Sequence, residues 1–369
     1  MAESFEIRPF EECIEKIKYT TKIASQDFKE SGRFPIISQE EAFISGYWDN
    51  PEDVFHINKP VVIFGDHSRH IKYVDFDFVI GADGVKILSP VKSINAKYFY
   101  YFLKWLDIPS LGYSRHYKAL KEKSVKVFSE TCQQRIVDEL DLLTGIIDQK
   151  NAQLRDLDAL AQSIFYEMFG DIIANEKKWP FGRFADICAP RSSIKRASKS
   201  YLPSDSIEYI DISSIDNKRQ KLTGTTAFIF SDAPSRAQQV VQYEDVLISM
   251  VRPNLKNIAV VNLDHNRLVA SSGFCVLRAN NRSNSSFIKS FIGTDAFTQH
   301  LMDRVTGANY PAVKEDDIKG CRIGVPPVDL QRQFAERVAV LERQKQLISS
   351  AIDEVGSLLS GRMDLYFNE

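Results

Sequence analysis

The chain has 369 residues, of which 44% are hydrophobic and 26% are charged, and its formal net charge at pH 7 is −2. This composition is ordinary for a soluble globular protein, and the length predicts two or three domains. No apolar run approaches the roughly 18 residues of a membrane span, and the polar start Met1–Ser4 does not resemble a signal peptide. A cytoplasmic protein is therefore expected, and a net charge near zero argues against binding of polyanions through bulk charge.

Few residues suggest catalysis or a cofactor. The five cysteines are scattered and form no CxxC pair, which predicts reduced thiols rather than disulfides or metal ligands. The sequence has no GxxxxGK[ST] phosphate loop and no HExxH pair. Asp75 and Asp77 lack the Glu-x-Lys partner of a nuclease site, and Val325–Val328 lacks the side chains of an amino-methyltransferase motif. No cofactor, metal site or catalytic residue is predicted.

Residues 1–128 are predicted to form a first globular part that is rich in short strands. β-Branched and aromatic runs bounded by turn residues lie at 34–37, 60–64, 77–80 and 85–88. A short helix is predicted from Ala96 to Trp105.

Residues 129–178 contain a long helix with a regular apolar ladder. Steps of three and four residues, typical of the a/d seam of a coiled coil, give the rungs Ile136, Leu140, Leu143, Ile147, Leu154, Leu157, Ala161, Ile164 and Met168. Lys150 is the polar rung. Thr131 is predicted to cap the helix, with Gln134 completing a capping box.

Residues 179–326 repeat the strand-rich pattern. Short strands are predicted at 208–212, 227–230, 246–250, 258–261 and 274–277. A helical stretch is predicted from Asn284 to Met302.

Residues 327–369 carry a second ladder. Its apolar rungs are Phe334, Val338, Leu341, Ile348, Ile352, Val355, Leu359 and Tyr366, with Lys345 and Arg362 as polar breaks. Adding 198 to the number of a rung in the first ladder gives the number of its counterpart in the second. Asp329 is predicted to cap this helix.

The duplication extends upstream of both helices. The matching segments are Tyr117–Glu122 with Val125 against Tyr310–Glu315 with Ile318, and 83–88 against 272–277. A repeat of nearly 200 residues indicates a duplicated domain, since solenoid repeats have only about 20 to 50 residues. The predicted fold class is α+β, with two mixed β-rich domains that are each followed by a long helix.

The charges are distributed unevenly along the chain. Residues 179–310 contain 16 Lys and Arg against 11 Asp and Glu, whereas residues 129–178 contain 5 against 10. This asymmetry fits a domain that faces nucleic acid and an acidic spacer, although an acidic solvated helix gives the same counts.

Polar, basic loops between the predicted strands are the candidate DNA-binding site. Cations next to hydroxyl side chains, which suit phosphate contacts, are Arg191, Lys195, Arg196 and Lys199. Side chains that suit base edges in the major groove are Arg236, Gln238, Gln239, Arg252 and Asn254, with Lys256 beside them. The first part offers His67, Arg69, His70 and Lys72 at the place of 252–257, and Arg115, His116 and Lys118 before its long helix. One such loop alone can be solvated surface, but recurrence at equivalent places favours a function.

These features resemble the DNA-specificity (S) subunit of type I restriction–modification systems, over essentially the whole chain. The resemblance rests first on two variable β-rich parts that alternate with two similar long helices. It rests also on Gly-x-x-Tyr-x-Ala-like segments at Gly307–Ala312 and, with a longer gap, Gly112–Ala119. A Pro-Pro-x-x-x-Gln segment at Pro326–Gln331 adds to it, although the first copy has Phe128–Gln133 instead.

The resemblance implies a non-catalytic subunit that binds double-stranded DNA and two methyltransferase (M) subunits, with restriction (R) subunits completing an ATP-dependent nuclease. Target-recognition domains at 1–128 and 179–326 would each read half of a bipartite DNA site. The helices within 129–178 and 327–369 would pack antiparallel as a spacer with approximate two-fold symmetry. Two other interpretations remain open: a fused nuclease or methyltransferase, and an intracellular scaffold with two β domains on a coiled coil.

Overall fold

The computed structural model of the protein describes residues 4–368 except 110, 111, 113, 264 and 308–310. The chain divides into two compact units. We call Met1–Ala152 together with Ser349–Glu369 the first unit, and Gln153–Ile348 the second unit.

Short strands dominate the first unit, as the β-branched and aromatic runs predict. Its strands are β1 (Phe5–Pro9), β2 (Ile14–Glu15), β3 (Lys22–Ile23), β4 (Phe34–Ile37), β5 (Gly46–Trp48), β6 (Val54–Phe55), β7 (Val61–Gly65), β8 (Ile71–Val74), β9 (Phe78–Gly81), β10 (Val85–Pro90) and β11 (Ser124–Phe128). Its helices are α1 (Ala96–Trp105), α2 (Tyr117–Lys121), the first part of α3 (Glu130–Phe169) and the last part of the C-terminal helix (Val328–Phe367).

Strand β7 lies between β10 and β8 in an antiparallel sheet, and β9 pairs in parallel with β4 in a second sheet. Helix α1 packs its aromatic face on β7, and the fully buried rings include Phe64, Tyr98 and Phe99. The side chain of Asn95 caps α1 by accepting the first free backbone N–H groups. This packing fixes the end of β7 from which a predicted DNA-binding loop emerges.

The second unit is also built from short strands and helices. Its strands are β12 (Phe181–Arg183), β13 (Ser206–Ile210), β14 (Ile215–Asp216), β15 (Lys221–Leu222), β16 (Thr226–Ile229), β17 (Ala237–Val240), β18 (Val246–Ser249), β19 (Ile258–Val260), β20 (Leu268–Ser271), β21 (Phe274–Leu277) and β22 (Arg322–Gly324). Its helices are α4 (Ser285–Ile292), α5 (Asp295–Met302), α6 (Glu315–Lys319), and parts of α3 and α7 (Val328–Phe367).

The central strand pairings of the second unit repeat those of the first. Strand β18 lies between β21 and β19, as β7 lies between β10 and β8. Strand β20 is parallel to β13 and antiparallel to β17. In the same way, β9 is parallel to β4 and antiparallel to β6. In both units a two-stranded pair, β1–β11 or β12–β22, leads into a long helix. The duplication inferred from the sequence is therefore present in the fold.

The rungs of both ladders are buried or half-buried, as the coiled-coil spacing predicts. In the second unit, Lys345 pairs with Asp158 at 2.6 Å, and the ring of Phe334 lies 5.7 Å from that of Phe165. The later contact residue of α3 therefore meets the earlier contact residue of α7. These two helix segments run antiparallel. In the first unit, Arg362 and Tyr366 both bind the carboxylate of one α3 residue, Glu139. The Arg362 guanidinium holds the pKa of Glu139 below its usual range.

The predicted helix caps were each wrong by two residues. Helix α3 begins at Glu130, and Ser129 serves as its cap because its carbonyl accepts from Gln133 N at 2.9 Å. Thr131 therefore lies inside the first turn. Helix α7 begins at Val328, so Asp329 also lies inside the first turn. The sequence rule finds a capping residue type but does not fix which of several neighbours begins the helix.

The predicted alignment of the Tyr-x-Ala segments was also wrong. Val125 in β11 and Ile323 in β22 are buried counterparts with the offset of 198. Ile318 instead lies in α6 and corresponds to Leu120 of α2. A match of a few residues carries too little information to fix the register, and Tyr310 lies outside the described residues.

The helical stretch predicted from Asn284 to Met302 consists of two helices. Gly293 ends α4, and the Thr294 side chain caps α5 by accepting from Phe297 N at 3.2 Å. Among the described residues, no helix combines the length and the apolar character that crossing a membrane requires.

The five cysteines are buried in the cores of the two units. Burial raises the pKa of Cys13 to about 11 and that of Cys275 to about 12, so these thiols stay protonated at neutral pH. Buried, protonated thiols behave as small apolar side chains.

Candidate nucleic-acid interface

In the second unit, the loop after β18 lies against two other segments. Arg252 N donates to Pro311 O at 2.8 Å, in the segment before α6. Met250 N donates to Gly273 O at 2.9 Å, in the turn between β20 and β21. Three segments that are distant in sequence therefore meet where β18 ends.

Two further predicted loops join this edge. Ser272 N donates to Arg236 O at 2.8 Å, which ties the loop before β17 to the β20–β21 turn. Val240 N donates to Lys195 O at 2.9 Å, which places the basic segment 191–199 along β17. The structure thus brings together the basic loops that the sequence singled out in this part of the chain.

A buried ion pair anchors the basic segment. The Asp245 side chain is only 1% exposed, and Arg278 donates two N–H groups to its carboxylate at 2.7 and 2.8 Å. A third donor of Arg278 reaches Ser193 O at 2.8 Å. This bidentate pair fixes the backbone of the segment. Arg191, at its start, forms a salt bridge with Glu315 of α6.

The predicted DNA-binding side chains of the second unit differ in whether they are exposed or already bound within the protein. Those exposed on these loops are Arg191, Lys195, Arg196, Lys199, Arg236, Gln238, Arg252 and Asn254. Gln239 is half-buried, and its amide donates to the carbonyls of Ser271 and Phe274 at 2.9 Å. Lys256 is half-buried and pairs with Asp295 at 2.6 Å. Gln239 and Lys256 therefore already have structural partners.

In the first unit, Asp66 joins the corresponding segments at the end of β7. Asp66 N donates to Gly84 O at 2.7 Å, in the turn between β9 and β10. His116 N donates to Asp66 O at 2.8 Å, in the segment before α2. The buried carboxylate of Asp66 accepts from Tyr117 N at 2.8 Å. The loops 66–70 and 250–257 therefore occupy equivalent places, as the sequence predicts.

Two of the predicted side chains of the first unit are buried. Lys72 is 6% exposed, because alternation along β8 turns it inward, and its ammonium donates to Ser38 O at 2.9 Å and to Ala42 O at 2.5 Å. Burial lowers the pKa of Lys72. His116 is 1% exposed. Since a buried side chain cannot reach a phosphate or a base, we leave Lys72 and His116 out of the interface.

The other predicted residues of the first unit lie nearer the surface. Those exposed are Arg69, His70, Arg115 and Lys118. His67 is half-buried, with its Nδ1 3.2 Å from Ser114 O. Loop 66–70 is held further by Gln39, whose side-chain oxygen accepts from His67 N at 3.1 Å.

The sequence analysis named two glutamines as the last residues of Phe128–Gln133 and Pro326–Gln331 but did not predict their structural role. Gln133 and Gln331 are fully buried, and the ladder offset of 198 relates them. Gln133 donates to Phe128 O at 2.8 Å, and Gln331 donates to Pro326 O at 2.9 Å. Each amide thus fastens the start of a long helix to the chain that enters it. The repeat offset of 198 could have indicated this common role, because it relates Gln133 to Gln331 near the start of the two long helices.

Comparison with known proteins finds similarity to subunits of type I restriction–modification systems. No family model matches the chain. The S subunit of a type I restriction–modification system from M. genitalium covers 100% of this chain and 97% of its own, with a TM-score of 0.53 and 13% identity. At that identity the likeness shows a shared fold. The HsdS subunit from Thermoanaerobacter tengcongensis is 34% identical over 46% of this chain and 43% of its own, with a TM-score of 0.40.

A curated relative gives the same result at the level of sequence. The specificity subunit of the type I restriction enzyme EcoR124I/EcoR124II from Escherichia coli is 26% identical over 156 residues. The match covers 38% of this chain and 39% of that protein, which is less than half of the relative's length. The resemblance stated from the sequence is thus confirmed: the chain is similar to the specificity subunits of type I restriction enzymes.

Proposed function

We propose that the protein is the DNA-specificity subunit of a type I restriction–modification complex, in which each β-rich part reads one half of a bipartite DNA site. The observation that carries this proposal is the repetition of one loop cluster. Each unit has an antiparallel sheet with an equivalent strand, β7 in the first unit and β18 in the second. In both units, loops with exposed basic side chains meet at the end of this strand. A chain that is similar to specificity subunits and presents the same kind of edge twice is suited to a divided site.

We assign the roles within this function to the residue ranges that the sequence analysis predicted. In this proposal, residues 1–128 and 179–326 are the target-recognition domains. The helices within 129–178 and 327–369 form an antiparallel coiled-coil spacer with approximate two-fold symmetry, which sets the gap and docks two methyltransferase subunits. In this proposal the subunit has no catalytic step of its own and needs no cofactor.

The interface has two kinds of contact. Phosphate contacts come from Arg191, Lys195, Arg196 and Lys199, and base-edge contacts come from Arg236, Gln238, Arg252 and Asn254. In the first half-site the contacts come from His67, His70, Arg115 and Lys118. The phosphate contacts supply affinity that depends on salt, whereas the base-edge contacts supply selectivity.

Two single substitutions should separate these roles. Arg252→Ala is expected to cost about 1–3 kcal/mol of binding and to relax selectivity at one position of the second half-site. Lys195→Ala is expected to weaken all sequences about equally and to lower the salt slope by about one. The measurement is binding of the reconstituted methyltransferase complex to single-base variants of its site at several salt concentrations.

Arg267→Ala is the matched control. Arg267 lies before β20, at the opposite end of that strand from the loop edge, and pairs with Asp205. Its loss should change neither the selectivity nor the salt slope. Identical profiles for Arg252→Ala and Lys195→Ala would contradict the assignment of roles.

A further inference from the structure

Each of the two equivalent loops contains a basic residue with left-handed backbone and a bound side chain. Arg69, in the loop between β7 and β8, has φ of 63°, and Lys256, in the loop between β18 and β19, has φ of 48°. Residues with a Cβ rarely adopt this conformation, so the surroundings must hold it in place. The repetition in both units indicates a shared structural device.

The cations of these two residues have equivalent partners. The guanidinium of Arg69 donates to Ile108 O at 2.7 Å, just after the end of α1. The ammonium of Lys256 donates to Gly293 O at 3.0 Å, just after the end of α4. Helices α1 and α4 are counterparts: α1 follows β10, and α4 follows the equivalent strand β21. In each unit, a basic side chain therefore ties the loop to the backbone that follows the first helix.

In the second unit, the tie closes a short turn that presents Asn254. Arg252 is also left-handed, with φ of 50°, and the turn between it and Lys256 begins with a buried proline, Pro253. At its stem, Ser249 N donates to Asn257 O at 2.9 Å. The Lys256 tie fixes the far end of this turn, and a turn held at both ends presents its exposed side chains in one geometry.

We propose that Arg69 and Lys256 are positioning residues for DNA recognition: their cations fasten the two equivalent loops to the backbone after α1 and α4, and so determine selectivity at the first and second half-site respectively. This inference rests on the proposed function. It changes the role of two residues that the sequence placed among the DNA contacts. A cation engaged with a carbonyl of its own unit acts on DNA through the loop it holds.

The test uses Arg69→Met and Lys256→Met in the reconstituted methyltransferase complex, with binding to single-base variants of both half-sites. Because immobilising a flexible group costs free energy on binding, each variant is expected to lose about three- to tenfold of discrimination at its own half-site. Discrimination at the other half-site should be unchanged, and the salt slope should equal that of the unsubstituted complex. Lys256→Arg, which keeps a donor, should restore most of the discrimination.

Asp295→Ala distinguishes two possible roles of Lys256, a positioning residue or a phosphate contact, because they predict opposite changes in DNA binding. Asp295 is 97% exposed and pairs with the Lys256 ammonium, so its removal should leave the fold intact. A positioning lysine would lose part of its anchor, and discrimination at the second half-site would fall. A phosphate-binding lysine would be released towards DNA, and all sequences would bind more tightly.

Lys195→Ala serves as the reference for a phosphate contact. A uniform loss of affinity with a lower salt slope for Lys256→Met, or tighter binding for Asp295→Ala, would overturn the inference. Absence of selective DNA binding by the unsubstituted complex would instead contradict the proposed function, so the two failures are distinguishable.

Discussion

Combining Leu143→Asp with Leu341→Asp is expected to abolish cooperative folding. Both leucines are 8% exposed rungs of the ladders. Truncating a buried leucine costs about 2–5 kcal/mol, and a carboxylate placed among apolar side chains adds a desolvation penalty. Two such losses are comparable with the whole stability of a domain, about 5–15 kcal/mol. Circular dichroism melts and size-exclusion chromatography would show an unfolded or aggregated chain.

The neighbouring residues provide the matched control. Leu142 is 65% exposed and Val340 is 45% exposed, one position from each buried rung. Leu142→Asp with Val340→Asp introduces the same charges on the same helices, so the melt should keep its cooperativity. A soluble buried-rung variant that melts like this control would show that the ladders do not carry the stability assigned to them.

Asp245→Ala should be the most damaging single substitution near the candidate interface. It leaves the Arg278 guanidinium without its bidentate partner in a buried setting, and loss of one member of such a pair costs about 3–5 kcal/mol. The basic segment should loosen as well, because Arg278 also holds Ser193 O. Urea denaturation followed by tryptophan fluorescence measures the loss of stability.

Two further variants make this result specific. Asp329→Ala removes an acid of the same unit whose side chain is 79% exposed and pairs with Arg332, so the denaturation midpoint should not change. Asp245→Leu combined with Arg278→Met removes both charges and should cost less than Asp245→Ala alone. A single substitution that is milder than this double variant would contradict the role given to the ion pair.

The sequence predicted the repeated fold well, because periodic patterns extend over many residues. Both ladders have rungs at the positions expected for buried faces, and α1 has the predicted bounds, Ala96–Trp105. Strand β20 (Leu268–Ser271) was missed, because a four-residue strand buried on both faces shows no alternation. The short Tyr-x-Ala match was misaligned for the related reason that it contains few residues.

The candidate site was predicted at the level of loops and less well at the level of side chains. Sequence position identifies a loop after a strand, but availability depends on tertiary partners. Lys72 illustrates this point, since its ammonium donates hydrogen bonds to three backbone carbonyls of the segment 38–43. Lys256 illustrates it as well, because its partner Asp295 is 39 residues away in sequence. Such long-range contacts leave no periodic signal in the chain.

The most direct test of the account is methylation mapping of DNA modified by the complex of this subunit with its methyltransferase, with and without one extra heptad in each long helix. A heptad preserves the a/d seam and adds about 10 Å at about 1.5 Å per residue, or about three base pairs at about 3.4 Å each. The unsubstituted subunit should direct methylation to two half-sites with a fixed gap. The lengthened subunit should direct it to the same half-sites with a gap about three base pairs longer. Methylation without a bipartite motif, or altered half-site bases after lengthening, would contradict the account.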